Sequence, residues 1–380
     1  MPSTICSGRT PRNWPRQPSR RRSVATRSTA CSTTTCIPRV RPYGCWNPCE
    51  PIHLAPARDG VRPEHLADAA GAIAWLAAEH PVLLVCVGRA VEDGFDTQTW
   101  QLPWTLTAVS EPRRRSDDQI AIQTDAVAAA RRLADRAGQA WAHRNLARAY
   151  ARSGRCGDAH TEAQRALELF VEVGDRTGQA YTHLGLSGTF EQQGHRAQAL
   201  EYDQRALDLF RVTGDRIGQA TALNNIGWYH TQLGRHHDAI ANCERALALF
   251  RTLGIARGEA HIWDTLGSAH HGLADYERAA ECYRHAVDTF RENCPRYNEA
   301  DTLARLGDAL AAGGDRPAAD HAWRQALHTL TELDHPDADR LRVKVNDART
   351  AVQPDTRGRH DTRRDAAGAV SPGQAGSPGT

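Results

Sequence analysis

Lysine is nearly missing from this chain. Of 47 basic residues only Lys344 is a lysine, so 46 are arginine. A phosphate-binding P-loop needs glycine-rich backbone followed by Lys-Ser or Lys-Thr. Lys344 stands in Arg342-Val343-Lys344-Val345, with no glycine beside it, so nucleotide chemistry through a P-loop is excluded. Methionine occurs once and aromatics make up 6% of the chain. No apolar run reaches the 18 residues that a membrane-spanning helix needs, so a cytoplasmic protein without a membrane partner is expected. No HExxH or comparable pattern occurs among the 18 histidines. His236-His237 and His270-His271 are adjacent pairs, and neighbours on a helix do not face the same way. No nucleophile, base and orienting group can be assembled from local spacing. The expectation is therefore no enzyme, no cofactor and no metal.

Charge is scarce as a net quantity, at +2, but it is unevenly placed. Residues 1–60 hold ten Arg and two acids, which is +8 and leaves −6 for the remainder. A nucleic-acid footprint on that remainder is not supported.

What the chain has in abundance is order at a 40-residue interval. ADRAGQA (134–140), GDRTGQA (174–180), GDRIGQA (214–220), GIARGEA (254–260) and CPRYNEA (294–300) start 40 residues apart. Between them the small residues return as Ala159, Ala199, Ala239, Ala279 and Ala319, then as Ala166, Ala206, Ala246, Ala286 and Ala326. A period of this size signals stacked supersecondary units, none able to bury its apolar face alone. Within 174–213, Ala180, His183, Leu184, Ser187 and Phe190 fall on one helical face, then Ala199, Leu200, Ala206, Leu207 and Phe210 on another. Gly194 and Gly214 stand where left-handed C-caps are wanted. Each unit is thus a helix pair. Leu167, Leu207, Leu247, Val287 and Leu327, with Phe170, Phe210, Phe250 and Phe290, supply the buried bulk, and the alanines mark close helix approach. At about 25 cal/mol per Å² such a ladder holds neighbouring units together.

Ile226-Gly227, Gly234, Ala239 and Ala246, with their counterparts in the sister units, resemble the tetratricopeptide repeat, lengthened from 34 to 40 residues. The fold class expected is all-α: a right-handed α-solenoid of 40-residue tetratricopeptide-like helix pairs with disordered termini. Six repeats fill 94–333. The first, 94–133, is degenerate: it keeps Leu106, Ala126 and Val127 in core positions but carries Pro103 and the Pro112-Arg113-Arg114-Arg115 turn. Residues 51–93 read as a helical linker or N-terminal cap, with helices over 63–79 and 81–93. Residues 334–352 hold a capping helix, Asp337 to Val352. Residues 353–380, rich in Gly, Pro, Ser and Ala, read as disordered.

Residues 1–50 are an Arg/Ser/Pro-rich stretch without helical period. They contain Cys6, Cys31, Cys36, Cys45 and Cys49. A four-cysteine zinc site would need more regular spacing, and Ser19-Arg20-Arg21-Arg22 is followed by no apolar segment of an export signal. A disordered tail is one reading. Translation in the wrong frame is the other: shifted by two bases, Cys31 to Ile37 can read Leu-Asp-His-Tyr-Leu-His-Thr, a helical segment. The remaining cysteines, Cys86, Cys156, Cys243, Cys282 and Cys294, are scattered and read as reduced core thiols.

Ala74 to Pro81 (AWLAAEHP), His143-Arg144-Asn145-Leu146-Ala147, Ala222 to His230 (ALNNIGWYH) and Trp263-Asp264-Thr265-Leu266-Gly267 carry a second resemblance. Residues 51–350 resemble the C-terminal region of actinobacterial regulators of the AfsR/SARP type, signal-transduction ATPases. That resemblance implies a DNA-binding domain and an NB-ARC nucleotide switch ahead of a tetratricopeptide sensor, and only the sensor maps onto this chain. It makes the expected function a protein-interaction scaffold, the sensor part of a signalling or transcriptional regulator, with a protein or peptide as partner. The alternatives are a non-functional remnant of a frame-shifted regulator gene and, behind it, an enzyme.

In such solenoids the first helix of each pair lines the concave side. The repeat register then places Trp141, Arg144, Arg148, Arg152, Tyr181, Leu184, Asn224, Trp228, Gln232, His261, Asp264, His271, Asp301 and Asp308 inward. An arginine row gives way to polar and aromatic residues and then to acids, with Trp228 as a central anchor for an extended or helical peptide. The same residues also fit structural roles. The arginines can be a solvated helix face, Trp228 and Trp263 inter-repeat core, and Asn224-Asn225 a bridge to backbone groups.

Overall fold

The computed structural model describes residues 69–106, 116–293 and 296–352. The readings of 1–50 and 353–380 lie outside them. The described residues form helices without strands: α1 (Ala69–Glu92), α2 (Asp96–Leu106), α3 (Ser116–Arg132), α4 (Arg136–Arg152), α5 (Cys156–Glu172), α6 (Arg176–Gln192), α7 (Arg196–Thr213), α8 (Arg216–Gln232), α9 (His236–Leu253), α10 (Ala256–Gly272), α11 (Tyr276–Asn293), α12 (Arg296–Ala312), α13 (Arg316–Glu332) and α14 (Asp337–Val352). They build an all-α tetratricopeptide-type solenoid. Two compact units divide the chain, Met1–Leu273 and Ala274–Thr380.

The recurring phrase GDRxGQA is explained residue by residue. Gly174 and Gly214 take φ of +71° and +74°, a left-handed conformation that L side chains resist. Asp175 and Asp215 follow as N-caps, their Oδ1 atoms accepting the N–H of Gly178 and Gly218 at 2.8 Å each. Those second glycines cannot carry a Cβ, because it would fall inside the ring of Phe170 or Phe210. Gln179 and Gln219 then donate their amides back to the carbonyls of Phe170 and Phe210, at 3.3 and 3.0 Å. Ala180 and Ala220 close the phrase, fully buried. Five of the seven letters thus carry a chain reversal, a cap, a close approach, a tether and a core contact.

The reversal recurs every 20 residues, so each 40-residue unit is two structurally similar halves. Gly94, Gly154, Gly174, Gly194, Gly214, Gly234, Gly254 and Gly314 have positive φ, and Ala134, Ala274 and Asp334 do the same in its absence. Non-glycine residues pay roughly 1–2 kcal/mol for that conformation. Ala134→Gly is therefore expected to stabilise the first unit by about 1 kcal/mol, after the greater freedom of glycine in the unfolded chain is set against the relief. An upward shift of the urea midpoint checks it.

In the first unit the expected ladder is in place. Ala159, Ala166, Ala199, Ala206, Ala239 and Ala246 are buried, as are Phe170, Phe210 and Phe250, while Leu167 is only half-buried. Gly227 holds its place because Cys243 Sγ occupies the space of a Cβ. Leu106, Ala126 and Val127 of the degenerate repeat are buried. One expectation is corrected at the start. Two helices were expected over 63–79 and 81–93, but α1 runs unbroken from Ala69 through Pro81 to Glu92. A proline removes one backbone donor and crowds the preceding turn, and burial of Leu83, Leu84, Cys86 and Val87 against Leu102, Leu106 and Ile122 holds the helix together across it.

In the second unit, Ala279, Tyr283, Val287, Ala300, Leu303, Leu306, Ala326 and Leu330 form one core with Ala338 and Leu341 of α14. The last helix, α14, runs over Asp337–Val352. The chain's single lysine secures it: Lys344 Nζ lies 2.8 Å from both carboxylate oxygens of Asp308 on α12.

Candidate functional site

The first helices of successive pairs, α4, α6, α8 and α10, carry the expected site residues of the first unit at equivalent positions. On α4, Trp141 and Arg144 are one turn apart, and Tyr181 repeats the Trp141 position on α6. The result is a stack across two repeats: the Arg144 guanidinium lies 5.2 Å from the Trp141 ring centroid and 5.5 Å from that of Tyr181. Both rings are anchored from behind. Trp141 meets Phe170 edge-on at 4.9 Å, and Tyr181 meets Phe210 at 4.7 Å. The Tyr181 hydroxyl donates to Asp215 Oδ2 at 2.7 Å, the same carboxylate that caps α8. Arg144 is buried, Arg148 half-buried and Arg152 exposed, so the arginine row emerges progressively along α4.

On α8, Asn224 is buried with only 6% of its surface exposed, and Trp228 is half-buried. The Trp228 indole N–H donates to Glu191 Oε1 on α6 at 2.8 Å, and the Tyr229 hydroxyl donates to the other oxygen, Oε2, at 3.2 Å. Beneath them Ser187 Oγ lies 2.8 Å from Asp203 Oδ2 and 3.1 Å from the Tyr229 hydroxyl. Asp203 is fully buried, and burial first, then the Glu191 charge, push its carboxyl well above the ordinary range against the pull of Ser187 and Asn225. Burial and the Asp203 and Glu191 carboxylates likewise raise the Tyr229 phenol. Glu191, Ser187, Asp203 and Tyr229 were not among the sequence candidates. One signal was available: at the position of Asp203 the other repeats have Ala163, Cys243, Tyr283 and Trp323, so an acid there breaks a core pattern.

Asp264 on α10 is half-buried, and its carbonyl accepts Ser268 Oγ at 3.1 Å. Trp263 beside it is half-buried with the Arg251 guanidinium 5.6 Å from its ring. Asp301 and Asp308 belong to the second unit. Asp301 pairs with Arg305 on its own helix, and Asp308 binds Lys344 and accepts the Trp323 indole N–H at 3.1 Å. Both carboxylates are engaged within their unit.

A second buried polar group joins α3, α4 and α5. His143 Nδ1 stands 2.5 Å from Glu162 Oε2, Arg165 pairs with the other Glu162 oxygen at 2.6 Å, and Arg131 lies 3.3 Å from His143 Nε2. Burial would raise the Glu162 carboxyl, but the His143 hydrogen bond and the charges of His143, Arg165 and Arg131 outweigh it and hold it below the usual range. This arrangement clasps helices together. Among the described residues no group of three or more His, Cys, Asp or Glu is placed to hold a metal ion, and no described helix is long and apolar enough to cross a membrane. Cys86, Cys243 and Cys282 are buried and form no disulfide, and burial pushes Cys282 up to about 11.

Residues 178–252 and 218–292 match the tetratricopeptide repeat model. No match was found among curated proteins. Solved structures share the fold at low identity. A tetratricopeptide-sensor protein of the signal-transduction ATPase with numerous domains class, from Pyrococcus horikoshii, is 16% identical with a TM-score of 0.55, covering 76% of this chain and 47% of that one. BtubC (BKLC) from P. vanneervenii is 21% identical with a TM-score of 0.50, covering 68% of this chain and 99% of that one. The apo form of RapI is 12% identical with a TM-score of 0.52, covering 68% and 71%.

Proposed function

We propose that this chain is a protein-interaction scaffold, the sensor module of a cytoplasmic regulator of the AfsR/SARP kind, and that it binds a peptide or protein segment on the face formed by α4, α6, α8 and α10. Tetratricopeptide repeats commonly present such surfaces, and the likeness to the sensor-bearing ATPase supports the regulator reading. The observation that carries the proposal is the Trp141–Arg144–Tyr181 stack. It costs side-chain freedom to fix an arginine between rings of two repeats, and the arginines that follow, Arg148 and Arg152, come progressively into solvent from that fixed base. The face then offers Glu191, Asn224 and Trp228, and ends in Asp264. Its charge runs from cationic to anionic, which fits a segment carrying an acidic residue toward α4 and a basic one toward α8 and α10.

Asp301 and Asp308, which register places inward, belong to the second unit, where they pair with Arg305, Lys344 and Trp323. The test is selection of peptides from a random display library on the intact chain, followed by their dissociation constants for Arg148→Glu. Binding at least tenfold weaker, with unchanged helicity, supports the reading.

A further inference from the structure

One junction of the first unit departs from the repeat pattern at three buried positions together. Ser187 on α6 stands where the other repeats have Ala147, Gly227, Gly267 and Gly307. Asp203 on α7 stands where they have Ala163, Cys243, Tyr283 and Trp323. Tyr229 on α8 stands where they have Ala149, Thr189, Ala269 and Ala309. All three are buried, Ser187 and Asp203 completely. Buried polar groups are costly unless each finds a partner. These three find one another, and through Glu191 they reach the exposed side of α6.

Three oxygen–oxygen links run in series. Asp203 Oδ2 is 2.8 Å from Ser187 Oγ, Ser187 Oγ is 3.1 Å from the Tyr229 hydroxyl, and that hydroxyl is 3.2 Å from Glu191 Oε2. Each link needs one proton between its oxygens. The serine and tyrosine hydroxyls supply two. With both carboxyls ionised, Ser187 gives its proton to Asp203, and the single Tyr229 proton is left to serve both Ser187 and Glu191. A third proton completes the series, and it has to sit on the carboxyl at one end. Glu191 is exposed and accepts the Trp228 indole N–H on its other oxygen at 2.8 Å, which suits an anion. Asp203 is enclosed, and its Oδ1 has no hydrogen-bond partner. The titratable groups that face it are Glu191 from α6 and the Tyr229 phenol from α8, and among the described residues no cation acts on it. The Asn225 amide on α8 pulls toward ionisation without bonding Oδ1. A carboxylate buried without a cation carries a heavy desolvation cost that the neutral acid avoids.

We propose that Asp203 is held as the neutral acid in the folded chain and is a positioning residue for the binding face. Its proton sets the direction of the whole series: Asp203 donates to Ser187, Ser187 to Tyr229 and Tyr229 to Glu191. The Glu191 carboxylate is then fixed at one oxygen by the phenol and at the other by the indole, and it holds the half-buried Trp228. Loss of the proton turns Ser187 back toward Asp203 and divides the Tyr229 proton between two acceptors, which loosens Glu191 and the tryptophan with it. The inference rests on the binding face proposed above and adds a buried residue that sets its geometry.

The test has two arms, both on the full chain. Aspartate labelled with ¹³C at the side-chain carboxyl reports the proton directly, the Asp203 signal being identified by its loss in Asp203→Asn. At pH 7 that signal should lie at the protonated position, apart from the ionised aspartates; a signal at the ionised position overturns the proposal. The second arm measures dissociation constants of display-selected peptides. Asp203→Asn keeps a donor for Ser187 and should bind within about twofold of the native chain. Asp203→Leu keeps the bulk, removes the donor and should bind about fivefold more weakly, the worth of one hydrogen bond. A merely structural acid would leave both affinities unchanged at equal helicity, because an apolar side chain of similar volume can replace a buried polar group without loss of stability. Undiminished binding by Asp203→Leu, or equal losses in the two variants, overturns the positioning role. If the selected peptides also ignore Arg148→Glu, the face itself is wrong, while the carboxyl signal still decides where the proton sits.

Discussion

Phe210→Ala lowers the unfolding free energy of the first unit by about 3–5 kcal/mol, the range for truncating a fully buried aromatic. The ring is wholly enclosed, meets Tyr181 edge-on at 4.7 Å and lies where a side chain on Gly218 would have to go. Its own carbonyl accepts the Gln219 amide and the Asp215 N–H, so the residue ties α7 to the start of α8 by packing and by hydrogen bonds together. Loss of one interface in a solenoid falls on both neighbours, because stability is carried by nearest-neighbour contacts. Gly218→Ala attacks the same junction from the other side and costs about 1–3 kcal/mol through overpacking. The two changes are not additive. In the Phe210→Ala background the new methyl enters vacated space, so its cost should shrink toward zero. Equilibrium urea unfolding of the four proteins measures this coupling. Full additivity would mean that the ring is not what forbids a side chain at 218.

Acidification to pH 5 removes about 2 kcal/mol of stability through His183 alone. Burial, reinforced by the Arg205 charge, lowers this imidazole to about 4 from its usual 6.5. Its Nδ1 has no hydrogen-bond partner, and the ring lies 5.7 Å from that of Tyr202. The folded state therefore binds the proton less readily than the unfolded chain. The stabilisation is fully present above pH 6.5 and is lost as pH falls from 6.5 toward 4. His230, also lowered chiefly by burial, adds in the same direction. Asp203 acts oppositely: its raised carboxyl favours the fold at low pH and disfavours it as pH rises. The diagnostic is His183→Phe, which places an aromatic of similar size beside Tyr202. Between pH 7.5 and pH 5 this variant should lose about 2 kcal/mol less than the native chain; an unchanged loss would rule out His183 as the titrating group.

The repeat architecture could be read in the sequence because its determinants are local and recur. A left-handed glycine and a capping aspartate each leave a letter in three of the five copies, and the buried alanine recurs in all five. The half-period of 20 is equally present, in Gly154, Gly174, Gly194, Gly214 and Gly234, but is harder to see: the second reversals have alanine where the first have Gln or Glu, and only Asp275 and Asp315 keep the Asp. Pro81 does not break α1, because apolar burial carries the helix through it. The site was less legible. Register places Arg144, Asn224 and Trp228 on the first helices of their pairs, but spacing does not say that Arg144 is stacked and buried, or that Asp308 is held by the only lysine. Glu191 and Asp203 act through contacts 37 and 16 residues away in sequence, with Trp228 and Ser187. Long-range pairing of this kind leaves no periodic trace.

The central claim is that the face formed by α4, α6, α8 and α10 is the binding surface. It is tested most directly by the dissociation constants of display-selected peptides for two charge reversals, Arg148→Glu on α4 and Arg245→Glu on the exposed side of α9. The account predicts at least a tenfold loss for the first, about 1.4 kcal/mol or more, and no change for the second. Equal affinities for both variants, or a loss confined to Arg245→Glu, would contradict it.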